Sequence, residues 1–281
     1  MKKLRSIISL WILFLPTILN AGVLDDARVF EKVYLSSAIK IEKLPKHTIG
    51  AGFFTKIKED RTKLVFTTNK HMVEEAEELI FTVPIKDSLD MIIKTITLNV
   101  PLLKDTIKQY YIPDESLDIA FLIVDKKTLS EALTESDLRL FSSLPYSSYA
   151  SVKNLYAGQS VLFTGYPLGL TVNRSLPLLR KGIIAGIDSL EKVIYLDADA
   201  FQGSSGSPVF IDFSTQENIE FWKTNKQMLV GIIAGYKPLV KRLYNDQGEV
   251  EMIQTENSGI AVVVPAEIIR KMAERFLSGL K

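Results

Sequence analysis

The 281-residue chain contains no cysteine and only two histidines. Without cysteine there is no disulfide, no thiolate nucleophile and no cysteine metal site, so stability rests on packing alone. The scarcity of histidine leaves His47 and His71 as the only imidazole bases. No cluster of His, Asp and Glu has metal-ligand spacing and no glycine-rich phosphate loop occurs, so neither a metal nor a cofactor is expected. An excess of one charge is also lacking, the net being +1. Without residues 1–21, which hold Lys2, Lys3 and Arg5 and no acid, 31 basic residues face 33 acidic ones, a net of −2. Nothing in that balance suggests a polyanion-binding surface, and it argues against nucleic acid as the main partner. Internal repeats and low-complexity tracts are absent.

Long apolar runs are scarce, and the one at the N-terminus has a specific form. A basic start leads into the uncharged stretch Ile7–Leu15, then the helix-breaking Pro16, then Leu19-Asn20-Ala21 with a small residue at its end. Residues 1–21 thus read as a secretory signal peptide cleaved after Ala21, and the mature chain is expected to be exported, periplasmic or secreted. Pro16, Asn20 and Gly22 interrupt the segment that an uncleaved membrane anchor would need.

The rest of the chain is built from short apolar runs separated by turn signals. Strands are expected at Ile49–Ile57, Leu64–Thr68, Leu79–Pro84, Met91–Val100 and Asp118–Val124. A second series covers Ser160–Gly165, Leu178–Ile187, Val193–Leu196, Pro208–Ile211, Met228–Gly235 and Gly259–Val264. Many short strands without alternating helices indicate an all-β sandwich or barrel. Lys127–Phe141 and Ala266–Leu280 show helical spacing, the latter as an amphipathic helix after Pro265. Polar Ser142–Asn154 is the candidate linker, dividing the mature chain into halves 22–148 and 149–281.

Three sites carry chemistry. His71 lies at the end of the apolar strand Leu64–Thr68, whereas His47 sits in polar Lys46-His47-Thr48 and reads as a solvated loop residue. Asp118 opens the buried run Ile119–Val124, and a carboxylate at such a position must find hydrogen-bond donors. An imidazole N–H is one, and the pairing fixes the tautomer that a base needs. The rivals Asp114, Glu115 and Asp125 lie in a polar loop or at the far end of the strand. Ser205 stands in Gly203-Ser204-Ser205-Gly206-Ser207-Pro208, where flanking glycines allow a tight turn that exposes the hydroxyl. The backbone N–H groups of Gly203 and Ser205 can then serve as a two-donor oxyanion hole. A hydrolase elbow is excluded, because Ser207 stands where it needs glycine and no histidine follows the serine. Ser37-Ala38-Ile39-Lys40 matches a Ser-x-x-Lys pattern, but no companion motif follows.

In these blocks and in the His–Asp–Ser order, the sequence resembles the chymotrypsin/trypsin-like serine peptidases, in particular the disulfide-free bacterial branch that includes HtrA-type proteases. The matching blocks are Ile49–Phe53, Thr67–His71, Leu117–Ala120, Gly165–Gly169, Gly203–Pro208, Leu229–Ile232 and Gly259–Val262. The resemblance implies two six-stranded antiparallel β-barrels with a C-terminal helix, and a triad of His71, Asp118 and Ser205 in the cleft between them. It implies an endopeptidase that works through an acyl-enzyme on a protein or peptide substrate. A protease-fold binding protein with little or no turnover is the alternative. Ser204 replaces the aspartate of zymogen-type members, so activation by a freed N-terminus is not expected, and Ser207 replaces the commoner second glycine. The chain ends after its terminal helix, so no PDZ domain and a simple monomer are expected. Asp199, Ala234 and Tyr236 fall where the family lines its specificity pocket. Asp199 matches the aspartate that selects Arg or Lys, while the HtrA-type pattern places a structural aspartate at Asp197.

Overall fold

A computed structural model of the protein describes residues 34–56, 63–86, 92–104, 107–125, 144, 148–171, 176–225 and 228–279. The expected signal peptide, the expected helix at 127–141 and part of the expected linker lie outside these residues.

The first half is one antiparallel sheet. Its long strands are β1 (Ile39–Leu44), β2 (Thr48–Lys56), β3 (Lys63–Thr68), β4 (Glu78–Lys86) and β5 (Ile92–Pro101). β6 (Leu103–Lys104) and β7 (Ile107–Lys108) form a small ribbon, and β8 (Tyr110–Tyr111) pairs with β9 (Ala120–Asp125). The sheet order is β5-β4-β1-β2-β3-β9-β8. Alternation drives it: in β1 the residues Ile39, Ile41 and Lys43 face inward while their neighbours are half-buried. Phe54, Phe66 and Phe81 meet in its core with ring centroids 4.4–6.0 Å apart.

The second half is a closed barrel. β10 (Ser160–Gly165), β11 (Leu178–Asp188), β12 (Val193–Asp197), β13 (Pro208–Ile211), β14 (Leu229–Tyr244) and β15 (Val250–Pro265) close in the order β10-β11-β12-β15-β14-β13. Closure leaves the barrel no open edge. Helix α1 (Lys70–Val73) is a single turn after β3, α2 (Gln216–Asn225) follows β13, and α3 (Ala266–Ser278) ends the described chain. Ile269 and Ala273 of α3 are buried against the barrel, and Phe276 stacks on Tyr111 of the first half at 4.6 Å.

The chain therefore has the chymotrypsin-like pair of β units with a C-terminal helix. In detail the first unit has seven strands, and among the described residues its end strands β5 and β8 do not pair. The short β8 offers only two residues to any neighbour. Hydrogen bonds lace the two units: Tyr34 Oη donates to the Ile211 carbonyl at 2.8 Å, Tyr166 Oη donates to the Ala38 carbonyl at 3.2 Å, and the Thr55 and Tyr149 hydroxyls meet at 2.8 Å. The expected boundary at 148–149 falls between β9 and β10.

Candidate active site

Thr68 ends β3, and Asn69 in an extended conformation starts the single turn of α1. Met72 and Val73 on that turn are buried, which leaves His71 facing outward with its side chain 44% exposed. Asp118 lies just before β9 and grips the histidine twice. Its Oδ2 is 2.7 Å from His71 Nδ1, and its Oδ1 accepts the His71 backbone N–H at 3.0 Å. A carboxylate at Nδ1 places the ring proton there and leaves the Nε2 lone pair available. Asn69 Nδ2 in turn donates to the Asp118 carbonyl at 2.8 Å, which ties the loop before β9 to the start of α1.

A second support comes from the buried Lys43, whose Nζ donates to the His71 carbonyl at 2.8 Å and to the Glu74 carbonyl. A cation at the C-terminal end of a helical turn answers carbonyls left without intrahelical partners. Burial pushes the Lys43 ammonium down from its ordinary value. The sequence reading missed this residue. Its signal is the inward phase of β1, where Lys43 continues the series Ile39, Ile41.

Three of the five amides of the turn 203–208 are tied down. Ser204 N donates to Phe201 O, Gly206 N to Ile233 O and Ser207 N to Ser204 O. Among the described residues, the Gly203 and Ser205 amides donate to nothing. Gly203 has φ +91° and Gly206 φ +78°. A Cβ at Gly203 would lie 2.1 Å from the Tyr166 carbonyl and one at Gly206 1.9 Å from the Ala51 carbonyl, so glycine is required twice over. The Gln202–Gly203 peptide is oriented by Leu168 N, which donates to Gln202 O at 2.6 Å. In a trans peptide the C=O and the following N–H point oppositely, so this bond turns the Gly203 N–H away from the 166–170 turn. Leu168 is exposed and has φ +55°, unusual for its residue type.

Gly50 on β2 brings the two parts together. A Cβ there would lie 2.8 Å from Met72 Cε on α1 and 3.2 Å from the Ser205 carbonyl. The next residue, Ala51, donates its N–H to that carbonyl at 2.6 Å. His71 and Asp118 are thus in contact, and Ser205 reaches the same stretch of β2 without a hydrogen bond to the imidazole among the described residues. A shallow depression of about 550 Å³ adjoins His71, lined by Lys43, Glu74, Glu75, Lys108 and Tyr110. His47, by contrast, pairs with Glu42 at the exposed end of β1.

The family model of the trypsin-like peptidase domain matches residues 50–217, more than half of the chain, and spans all three of these residues. The chain belongs to that family of serine peptidases. Its fold is also similar to a crystal structure of Rv3671c from M. tuberculosis H37Rv, an inactive form of a serine-to-alanine mutant. The two are 16% identical, with 85% of this chain and 86% of that one covered and a TM-score of 0.44. No curated protein matches the sequence.

In this peptidase, β14 continues the wall beside the serine turn. Ile233 exchanges two backbone bonds with that turn, to Gly206 and Ser207, and Ala234 and Tyr236 follow on either side of Gly235. Tyr236 is exposed. Asp199 is exposed as well; its Oδ1 lies 3.6 Å from where a Gly259 Cβ would stand, and its backbone carbonyl accepts from Arg180. Asp197 is an exposed residue at the end of β12. Among the described residues no group of acids and histidines could hold a metal ion, and no helix is long and apolar enough to cross a membrane.

Proposed function

We propose that this peptidase is an exported endopeptidase whose Ser205, His71 and Asp118 form its catalytic triad. His71 Nε2 takes the Ser205 hydroxyl proton as Oγ adds to the scissile carbonyl carbon. The resulting oxyanion accepts hydrogen bonds from the Gly203 and Ser205 amides. When the C–N bond breaks, the imidazolium returns its proton to the leaving amine, and an acyl-enzyme remains on Ser205. A water molecule then gives a proton to His71 and its hydroxyl to the acyl carbon, which releases the carboxylic acid and restores the serine. Asp118 keeps Nδ1 protonated and stabilises the imidazolium throughout.

The two-point grip of Asp118 on His71, with Met72 beside that histidine and the Ser205 carbonyl both against Gly50 of β2, carries this reading. Export rests on the composition of residues 1–21.

The deciding experiment is labelling of purified protein with a fluorophosphonate probe, run beside Ser205→Ala and His71→Ala. Labelling of the wild type, lost in both variants, is expected, with peptide hydrolysis falling by roughly four orders of magnitude or more. A folded wild type that neither labels nor cleaves would favour the binding-protein reading. For export, cell fractionation with N-terminal sequencing should find the mature chain outside the cytoplasm, starting at Gly22. Intact protein retained in the cytoplasm would overturn that part.

A further inference from the structure

β14 and β15 run far beyond what the barrel uses. β13 covers β14 only from Leu229 to Ile232, and β12 covers β15 only from Ile260 to Val263. Beyond these limits β14 from Pro238 to Tyr244 pairs only with β15 from Val250 to Asn257, among the described residues. The ribbon reverses at Asn245–Glu249, with Gly248 at φ +80° closing the turn and Asn245 N donating to Glu249 O. The strand β14 is exposed from Tyr236 outward, and β15 from Val250 to Thr255.

Such an arm has little to hold it in water, because a lone two-stranded ribbon is marginal. Even so, it carries Leu239, Val240, Leu243, Tyr244, Met252 and Ile253, all at least 45% exposed. The register puts Leu239, Lys241 and Leu243 on one face and Val240, Arg242 and Tyr244 on the other. Each face thus presents apolar side chains to solvent beside a cation, and exposed apolar surface of this kind marks an interaction site. The charges are sorted by strand. β14 from Tyr236 onward holds Lys237, Lys241 and Arg242 and no acid, while β15 up to Ser258 holds Glu251 and Glu256 and no base; Lys241 pairs with Glu256 across the ribbon at 2.5 Å, and Arg242 lies exposed on the opposite face of β14.

The position of the arm names its occupant. Its root, Ala234–Tyr236, directly follows Ile233, the residue bonded to the Ser205 turn. Every strand pair in the barrel is antiparallel. A polypeptide laid antiparallel along β14 with its scissile bond at Ser205 therefore sends its upstream residues outward, along the arm towards Tyr244. Tyr236 to Tyr244 would span about 27 Å of extended chain. Pro238 removes one donor near the root, a device that blunts a bare edge against pairing with another copy, so recognition falls to the side chains.

We propose that the arm is an extended substrate-binding surface. It takes roughly eight residues upstream of the cleaved bond, in an unfolded segment that mixes apolar with acidic side chains. This rests on the peptidase reading above.

The test uses two fluorogenic substrates with the same cleaved tetrapeptide. One carries an upstream leader of nine alternating apolar and acidic residues, the other a Gly/Ser leader of equal length. The wild type is compared with Leu239→Ser/Leu243→Ser/Arg242→Glu. The expected result is kcat/KM at least about tenfold higher for the apolar-acidic leader in the wild type. The variant should lose that gain while hydrolysing the bare tetrapeptide and taking the fluorophosphonate label as the wild type does. Separately, the labelled leader peptide should bind Ser205→Ala protein by fluorescence anisotropy, and bind the same protein carrying the arm substitutions at least tenfold more weakly. Equal kcat/KM for the two leaders overturns the proposal, as does a gain that survives the arm substitutions. So does a wild-type dimer in sedimentation that the substitutions dissolve, which would assign the arm to self-association. Absence of labelling with retained leader binding would instead count against the triad and leave the arm surface standing.

Discussion

Ser207 shows how closely the active-site turn is packed. Its Oγ is buried without a hydrogen-bond partner among the described residues, and a Cβ on Gly165 would lie 2.0 Å from it. An unanswered buried hydroxyl costs on the order of 1–3 kcal/mol. Ser207→Ala should therefore raise stability by about 1 kcal/mol in urea unfolding and leave fluorophosphonate labelling intact; a loss of stability would show that the hydroxyl has a partner in solution. Lys43 is the other informative side chain. Lys43→Met removes two bonds to the carbonyls around His71, and kcat should fall about tenfold through misplacement of the imidazole, with KM little changed and Lys43→Arg recovering part of the loss. A kcat unaffected by either substitution would make Lys43 a packing residue only. His71, Asp118 and Ser205 could be singled out in the sequence because each stands in a marked local context, a strand end, the head of a buried run and a glycine-flanked turn, and the structure brings the first two into contact. Lys43 and Leu168 could not, because they act through backbone carbonyls and amides that leave no mark on residue type.

Among the elements, the 166–170 turn controls a donor that belongs to another loop. Proline at 168 can neither adopt φ +55° nor supply the N–H that holds Gln202 O. Leu168→Pro should lower kcat by roughly 10²–10³, the loss seen when an oxyanion donor is removed. Leu168→Gly, which takes the left-handed conformation freely, should keep near wild-type kcat. Equal kcat for wild type and both variants would detach this turn from catalysis. Helix α3 offers a pH readout. The Glu267 carboxylate accepts from Lys271, Ser151 and the Val152 amide, which together hold it down at about 2. A carboxyl depressed in the folded state contributes its stability above the unfolded value, near 4.5, and loses it as pH falls from there towards 2. The stability gap between wild type and Glu267→Gln should thus be present at pH 7 and shrink below pH 4.5; a gap independent of pH would contradict it. Strands β10 and β13 match their sequence reading to the residue, because apolar runs bounded by turn residues mark them. β14 and β15 were read as ending at Gly235 and starting at Gly259. Their outer halves bury no face and carry Pro238 among charged residues, so no period of two announces them.

For the molecule as a whole, two tyrosines at the seam set an alkaline limit. Burial pushes the Tyr34 and Tyr166 hydroxyls well above the ordinary phenol value, and both stay protonated as donors across the seam. Each is free to ionise only in the unfolded chain, so their contribution to stability should be constant up to about pH 10 and fall as pH rises beyond it. Tyr166→Phe should be less stable than wild type at pH 8, by about 1 kcal/mol, and lose less on going to pH 11; parallel curves would place the alkaline loss elsewhere. The pairing of two β units was legible because strands recur throughout, while the way they lock together was not, since the seam joins residues as distant in sequence as Tyr34 and Ile211.

One seam contact lies at the proposed nucleophile itself. The carbonyl of Ser205 rests on the Ala51 amide, so the nucleophile we propose is seated by the opposite half of the molecule. On the triad reading, a parting of the halves that broke this bond would unseat the serine while both cores stayed folded, so proteolytic capacity would be surrendered before structure.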